Sequence, residues 1–196
     1  GTLIPLPWNC RPLPLWIRIT VSWLPMALPA LFSALRLSHH QTTTVARHDV
    51  LDGIKNIYIG DRGYCSYNNM AHVVEQGQYF LFRTKDIHSK GLVGNFNFPD
   101  AESFDIDVSV ILVRSHSKKV LADIHTEGYI RFVDQAAAFD YIEYGSYDTY
   151  ELSFRILRFP ISTSTYECIV TNLPRDEFPV ERIKTCLLYT SPSPRD

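Results

Sequence analysis

The stretch I-K-N-I-Y-I-G-D-R-G-Y-C-S-Y-N-N-M-A-H-V-V-E-Q-G-Q-Y-F-L-F-R-T (Ile54–Thr84) decides the fold. Lys55–Gly60 is a short β-branched and aromatic run, which predicts a strand. Asp61-Arg62-Gly63-Tyr64 then reads as a turn. Ser66 is placed to cap a helix reaching about Gln76, with Met70, Val73 and Val74 on one face and Gly77 as its stop. Tyr79–Thr84 is again strand-like. Strand, helix and strand in this space make a βαβ unit, which implies a parallel pair joined by a right-handed crossover.

Downstream the pattern changes. Gly91, Gly94 and Pro99 punctuate a loop, after which Phe104–Val113, Gly128–Val133, Tyr150–Pro160 and Tyr166–Asn172 all read as strands. In Tyr150–Pro160, Leu152, Phe154 and Ile156 alternate with Glu151, Ser153 and Arg155. A last helix is expected from Pro179, with Glu181 in its first turn, through Val180–Cys186. No internal repeat is visible. The tyrosines, interleaved with acids and apolar residues, are expected on sheet surfaces rather than in a stacking platform.

Composition bounds the chemistry. The 196 residues are 45% hydrophobic and 20% charged, enough apolar material for a core and ordinary for a globular protein. A formal charge of −2 excludes a strongly basic nucleic-acid module, so any DNA contact has to come from a local patch. Cys10, Cys65, Cys168 and Cys186 are far apart, which argues against a zinc site or a disulfide framework and suits a reducing cytoplasm.

The averages conceal a break. Residues 1–48 contain no Asp, Glu, Lys or Tyr, yet hold all three tryptophans. Between 49 and 185 there are 20 acidic and 14 basic residues, a net of −6. Translation in the wrong frame accounts best for the first segment. A signal or anchor and genuine structure are the competing accounts; for the former, Ile19–Leu35 is a charge-free run of 17 residues, although Pro25 and Pro29 interrupt it. The ending C-L-L-Y-T-S-P-S-P-R-D (186–196) reads as translated sequencing adapter. The expected organisation is an unreliable segment 1–48, a partial catalytic domain 49–185 with a β insertion at about 90–150, and an artefactual tail 186–196.

Asp61 is the residue singled out for chemistry. It stands at the carboxyl end of a strand, where open α/β sheets gather ligands, and a carboxylate there suits Mg²⁺. A solvated turn aspartate is the plainer account of the same residue.

The segment I-G-D-R-G-Y-C-S-Y-N-N-M-A-H-V-V-E-Q-G-Q-Y-F-L-F-R-T-K-D resembles the region around the second catalytic aspartate of bacterial insertion-sequence DDE transposases of the IS-four type. Y-E-L-S-F-R-I-L-R-F-P-I, Y-E-C-I-V-T-N-L-P and E-F-P-V-E-R-I-K follow in the order of that family's segment before its catalytic glutamate. The resemblance covers about Ile54–Lys184. It implies an α/β fold, a partial ribonuclease-H-like core with an inserted, mostly antiparallel β region. It also implies that Asp61 is a catalytic metal ligand for Mg²⁺ or Mn²⁺, in a pair of ions that activates the attacking water or 3′-hydroxyl and stabilises the leaving oxygen. The parent enzyme would act on DNA, the element's ends and its target, as a homodimer in the cytoplasm, with no membrane unless residues 13–35 are genuine.

Arg83 and Lys85, beside the site, are candidates for phosphate contact, as are Arg114, Lys118 and Lys119 in R-S-H-S-K-K (114–119). An ordinary charged turn is the plainer reading of that run. The first aspartate and the glutamate of the family's triad are not recognisable, so the chain is expected to be inactive. Loss of the parent's central strands is expected to leave unpaired edges and poor solubility. The alternative is a non-enzymatic β-rich binding or surface protein with an N-terminal export segment.

Overall fold

The computed structural model describes residues 17–22, 35–36, 54–94, 96–99, 101–124 and 127–190. Its centre is the expected βαβ unit. Strand β3 (Ile54–Gly60) leads through a 3-10 turn (Arg62–Tyr64) into helix α1 (Tyr67–Glu75) and then strand β4 (Tyr79–Thr84), which lies parallel to β3. The helix boundaries follow from local chemistry. The Ser66 hydroxyl accepts the Asn69 amide at 3.2 Å, satisfying one of the first-turn donors. At the other end Gly77 adopts φ +63°, its amide donates to Val74 O, and Gln78 N donates to Val73 O. That pair of bonds is a Schellman motif, and the left-handed residue within it favours glycine.

The expected β region continues the same sheet. Strands β5 (Phe104–Val113), β6 (Tyr129–Phe132), β7 (Thr149–Pro160) and β8 (Tyr166–Thr171) extend it beyond β4. On the other side β3 pairs antiparallel with β1 (Ile17–Ser22), and β1 with β2 (Leu35–Arg36). The order is β2-β1-β3-β4-β8-β7-β5-β6. Pairing is antiparallel except between β3 and β4 and between β5 and β6. The protein is thus a mixed α/β fold on a mostly antiparallel sheet.

Two expectations need correction. Strand β3 is not left with a bare edge, because β1 pairs with it, and among the described residues the sheet's edges are β2 and β6. The edge strand β6 is short, which limits templated pairing with other chains. Lys118 and Lys119, the end of a basic run (114–119) read most plainly as a charged turn, instead open a short helix α2 (Lys118–Asp123). The frame-error and export accounts of residues 1–48 fall largely outside the described residues, as do residues 191–196 of the expected tail 186–196, whereas Cys186–Thr190 of that tail continue helix α3 (Val180–Thr190). Within the charge-free run, Ile19–Ser22 belongs to a strand. Among the described residues no helix is long and apolar enough to cross a membrane.

Alternation along the strands builds two cores. On one face α1 contributes Met70, Ala71 and Val73 to a cluster with Phe80, Phe82, Val110, Phe154 and Ile156. On the other, helix α3 (Val180–Thr190) sets Ile183 and Leu187 against Ile57, Ile59, Leu81, Leu157 and Ile169. Strand β4 is buried on both sides, which explains its unbroken apolar run: Phe80 and Phe82 face α1 and Leu81 faces α3. Burying a side chain such as Ile183 contributes about 1.5–3 kcal/mol, so each helix is held mainly by its apolar stripe. Several tyrosines depart from the surface expectation. Tyr58 and Tyr64 are core residues, and Tyr141 and Tyr150 pack against Phe139 in an aromatic cluster.

Candidate functional site

Asp61 immediately follows β3, with extended backbone (φ −77°, ψ 174°), and its carbonyl accepts the Tyr64 amide as the turn begins. Its side chain is exposed. Gly60 makes this approach possible: a Cβ there would stand 3.1 Å from both Phe82 Cδ1 and Tyr64 Cβ. A side chain there would require Phe82 or Tyr64 to give by a few tenths of an ångström.

Alternation puts Asp61 on the face already occupied by Ile57 and Ile59, which is the α3 face. Arg83 lies on that face too, one strand over and beyond Leu81. Strand β8 then brings a residue that the sequence did not single out. Because β8 runs antiparallel to β4, with Thr84 opposite Cys168, its first residues lie at the carboxyl end of β4. Glu167 therefore faces Arg83, with Oε1 3.8 Å from the guanidinium Nε, and only 12% of its side chain is exposed. That distance is an ion pair but not a hydrogen bond. Oε1 is buried without a hydrogen-bond partner. Burial raises the carboxyl's pKa above its usual range; Arg83 and Arg62 oppose the rise, and the charge of Asp61 adds to it. Only pairing across β4 and β8 reveals this residue, since it sits far downstream in an unremarkable Y-E-C-I-V-T strand.

The site is therefore two carboxylates and two guanidinium groups at one end of the sheet: Asp61, Arg62, Arg83 and Glu167. Lys85, exposed just past β4, is on the same rim. Among the described residues no group of three or more His, Cys, Asp or Glu side chains converges as a metal site. The two carboxylates could hold part of a divalent ion's oxygen shell, the remainder coming from water or phosphate.

The basic run at 114–119 is not brought here. It follows β5, whose last residue Val113 pairs with Thr149 at the start of β7, whereas the Asp61 rim lies beyond the other end of β7. The separation along the strands is about 30 Å. Lys118 and Lys119 are exposed on α2. Arg114 corrects its expectation as a phosphate contact. It is 6% exposed and donates to the carbonyls of Asp134, Ala137, Phe139 and Ile142 at 3.0–3.2 Å. Its guanidinium organises the loop after β6, which is a structural use of the charge.

On the opposite face at the Asp61 end, an open groove of about 850 Å³ is lined by Asp86, Phe98, Glu102, Arg158 and Tyr166 among others. Arg158 donates Nε to Asp86 at 3.1 Å and stacks over the Tyr166 ring. Burial works against ionisation of Asp86, but the bonds from Arg158 and the Ile87 amide hold its carboxyl below the usual range. Nearby, burial raises the Cys65 and Cys168 thiols to about 12, so neither is a thiolate at neutral pH.

Neither a family model, nor a curated protein, nor a solved structure matches the chain.

Proposed function

We propose that the chain is a piece of the catalytic domain of a DDE-type DNA transposase, with Asp61 as the surviving metal-binding carboxylate. The observation that carries this reading is the direction of α3. Its start is fixed beside Arg155, whose Nη1 donates to Phe178 O at 3.2 Å, and further along Lys184 Nζ lies 5.2 Å from the Phe159 ring. Phe159 is the cross-strand partner of Glu167. The helix therefore travels over the α3 face toward the rim that holds Asp61. From Val180 to Thr185, ahead of the stretch read as adapter, it spans about 9 Å and points toward that rim. A helix delivering a further carboxylate from this direction is what a ribonuclease-H-like acid triad requires, and the parallel β3–α1–β4 unit agrees with such a core.

In this reading Asp61 would share Mg²⁺ or Mn²⁺ with two other acids, and the ions would activate the nucleophile and stabilise the leaving oxygen of a DNA phosphodiester. The chain's own residues bind and orient. Asp61 supplies ligand oxygens, while Arg62, Arg83 and Lys85 face the phosphate backbone. Asp61 and Glu167 alone cannot complete a two-ion site, so these 196 residues are expected to bind DNA weakly, in the cytoplasm, without cutting it. The test is a strand-cleavage and strand-transfer assay with Mg²⁺ or Mn²⁺ on DNA carrying the element's ends. No product is expected. Product that disappears on Asp61→Ala would overturn the inactivity and leave the transposase reading stronger.

A further inference from the structure

Arg62 and Arg83 stand at the same end of the sheet, and among the described residues neither guanidinium has a hydrogen-bond acceptor. Arg83 has only the ion pair with Glu167, at 3.8 Å. Glu167 in turn has a buried Oε1 with no hydrogen-bond partner. A well-made arginine–carboxylate pair is bidentate and within hydrogen-bond distance, as Arg155 and Asp105 show elsewhere in this protein at 3.1 and 2.5 Å. The Arg83–Glu167 contact is therefore a loose one between groups whose bonding capacity is unused.

We infer that Arg62 and Arg83 form a binding site for a phosphate oxyanion, and that Glu167 is an internal counter-charge that holds its affinity down. The guanidinium planes supply donors that fit phosphate oxygens. Glu167 is too distant to take those donors, yet close enough for its charge to offset the attraction. Charged groups around it are Arg83 from β4, Asp61 and Arg62 from the turn after β3, and Lys184 of α3 beyond Phe159. The shared ligand chemistry is a phosphate oxyanion, either free or within a DNA backbone. The transposase reading enters only in naming DNA as its source.

The experiment is binding to the whole chain at low salt without divalent metal, with inorganic phosphate and a short labelled DNA duplex as separate probes. Glu167→Gln keeps the shape and removes the charge, and is expected to tighten phosphate binding by roughly two- to fivefold, the range of a partly screened charge pair. Glu143→Gln, an equal change in net charge on an exposed loop residue, is expected to leave it unchanged. Adding Arg83→Gln to Glu167→Gln is expected to cancel the gain. Thermal melts confirm that each variant is folded, and Arg83→Gln alone, expected to weaken binding, is a second route to the same answer. Equal affinities for the Glu167 and Glu143 variants would overturn the inference, as would a gain that survives loss of Arg83. If phosphate responds to Glu167 while the duplex fails to bind any variant, the anion site stands and the transposase reading fails.

Discussion

Arg155 holds Asp105 in a two-pronged grip, Nε to one carboxylate oxygen at 3.1 Å and Nη2 to the other at 2.5 Å. Its remaining nitrogen donates to Leu173 O and Phe178 O, tying β5, β7 and the turn before α3 into one unit. Arg155 is 4% exposed, so removing either partner strands a buried charge. Arg155→Met is expected to destabilise the fold by about 3–5 kcal/mol. Arg155→Met with Asp105→Leu should cost less than the sum of the two single changes, measured by denaturant unfolding as a double-mutant cycle. Strict additivity would mean that the pair contributes no coupling.

Acid should dismantle the same contacts. Burial alone would raise the Asp105 pKa, but hydrogen bonds from Arg155 and Arg175 prevail and hold it low. Asp140 is held low chiefly by hydrogen bonds from Asn68 and His72. A carboxyl with a depressed folded pKa contributes stability that is complete above its unfolded pKa, about 3.9, and is lost as pH falls through the folded value. Urea midpoints measured toward acid should drop once pH falls below about 4. Asp105→Asn should flatten that drop; an unchanged acid limb would exclude Asp105 as its source.

Glu167 carries the opposite sign. Its folded pKa is raised, so ionisation at neutral pH opposes folding, and stability rises as pH falls through the folded value toward the unfolded one. Glu167→Gln is therefore expected to raise the melting temperature at pH 7. The advantage should shrink at acid pH, where Glu167 itself is protonated. A lower melting temperature at pH 7 would show that the Arg83 contact outweighs burial.

Arg114 predicts a local effect. With four loop carbonyls on one guanidinium, Arg114→Ala should release the segment from Asp134 to Ile142, speeding amide exchange there while strands β4 and β8 stay protected. DNA affinity should stay the same within error, because the side chain is buried. A clear loss of binding without loss of protection would return Arg114 to the phosphate contacts.

Much of this fold was legible because its signals are local. The Ser66 cap, the Gly77 stop and the apolar run of Tyr79–Thr84 each fix an element from a few neighbouring residues. The strand at Tyr150–Pro160 was readable from its alternation, and Asp61 from its position after a strand. What stayed hidden depends on pairing between distant segments. Glu167 becomes a site residue only when β8 docks antiparallel on β4, and nothing in its own strand carries that register. The use of Arg114 likewise depends on a loop that returns from residues 134–142. Helix α2 was missed because the basic run 114–119 reads as a turn and the few residues after it offer too few periodic positions to mark a short helix.

The central claim is descent from a DDE transposase, and the most direct measurement is long-read sequencing of the source DNA across this gene and well past both ends. An upstream frame encoding a strand that bears the first aspartate is expected. Downstream, DNA that carries α3 onward into a helix with a tyrosine, an arginine and then a glutamate is expected. A confirmed in-frame start through residues 1–48, a true stop after Asp196 and no such flanking segments would contradict it.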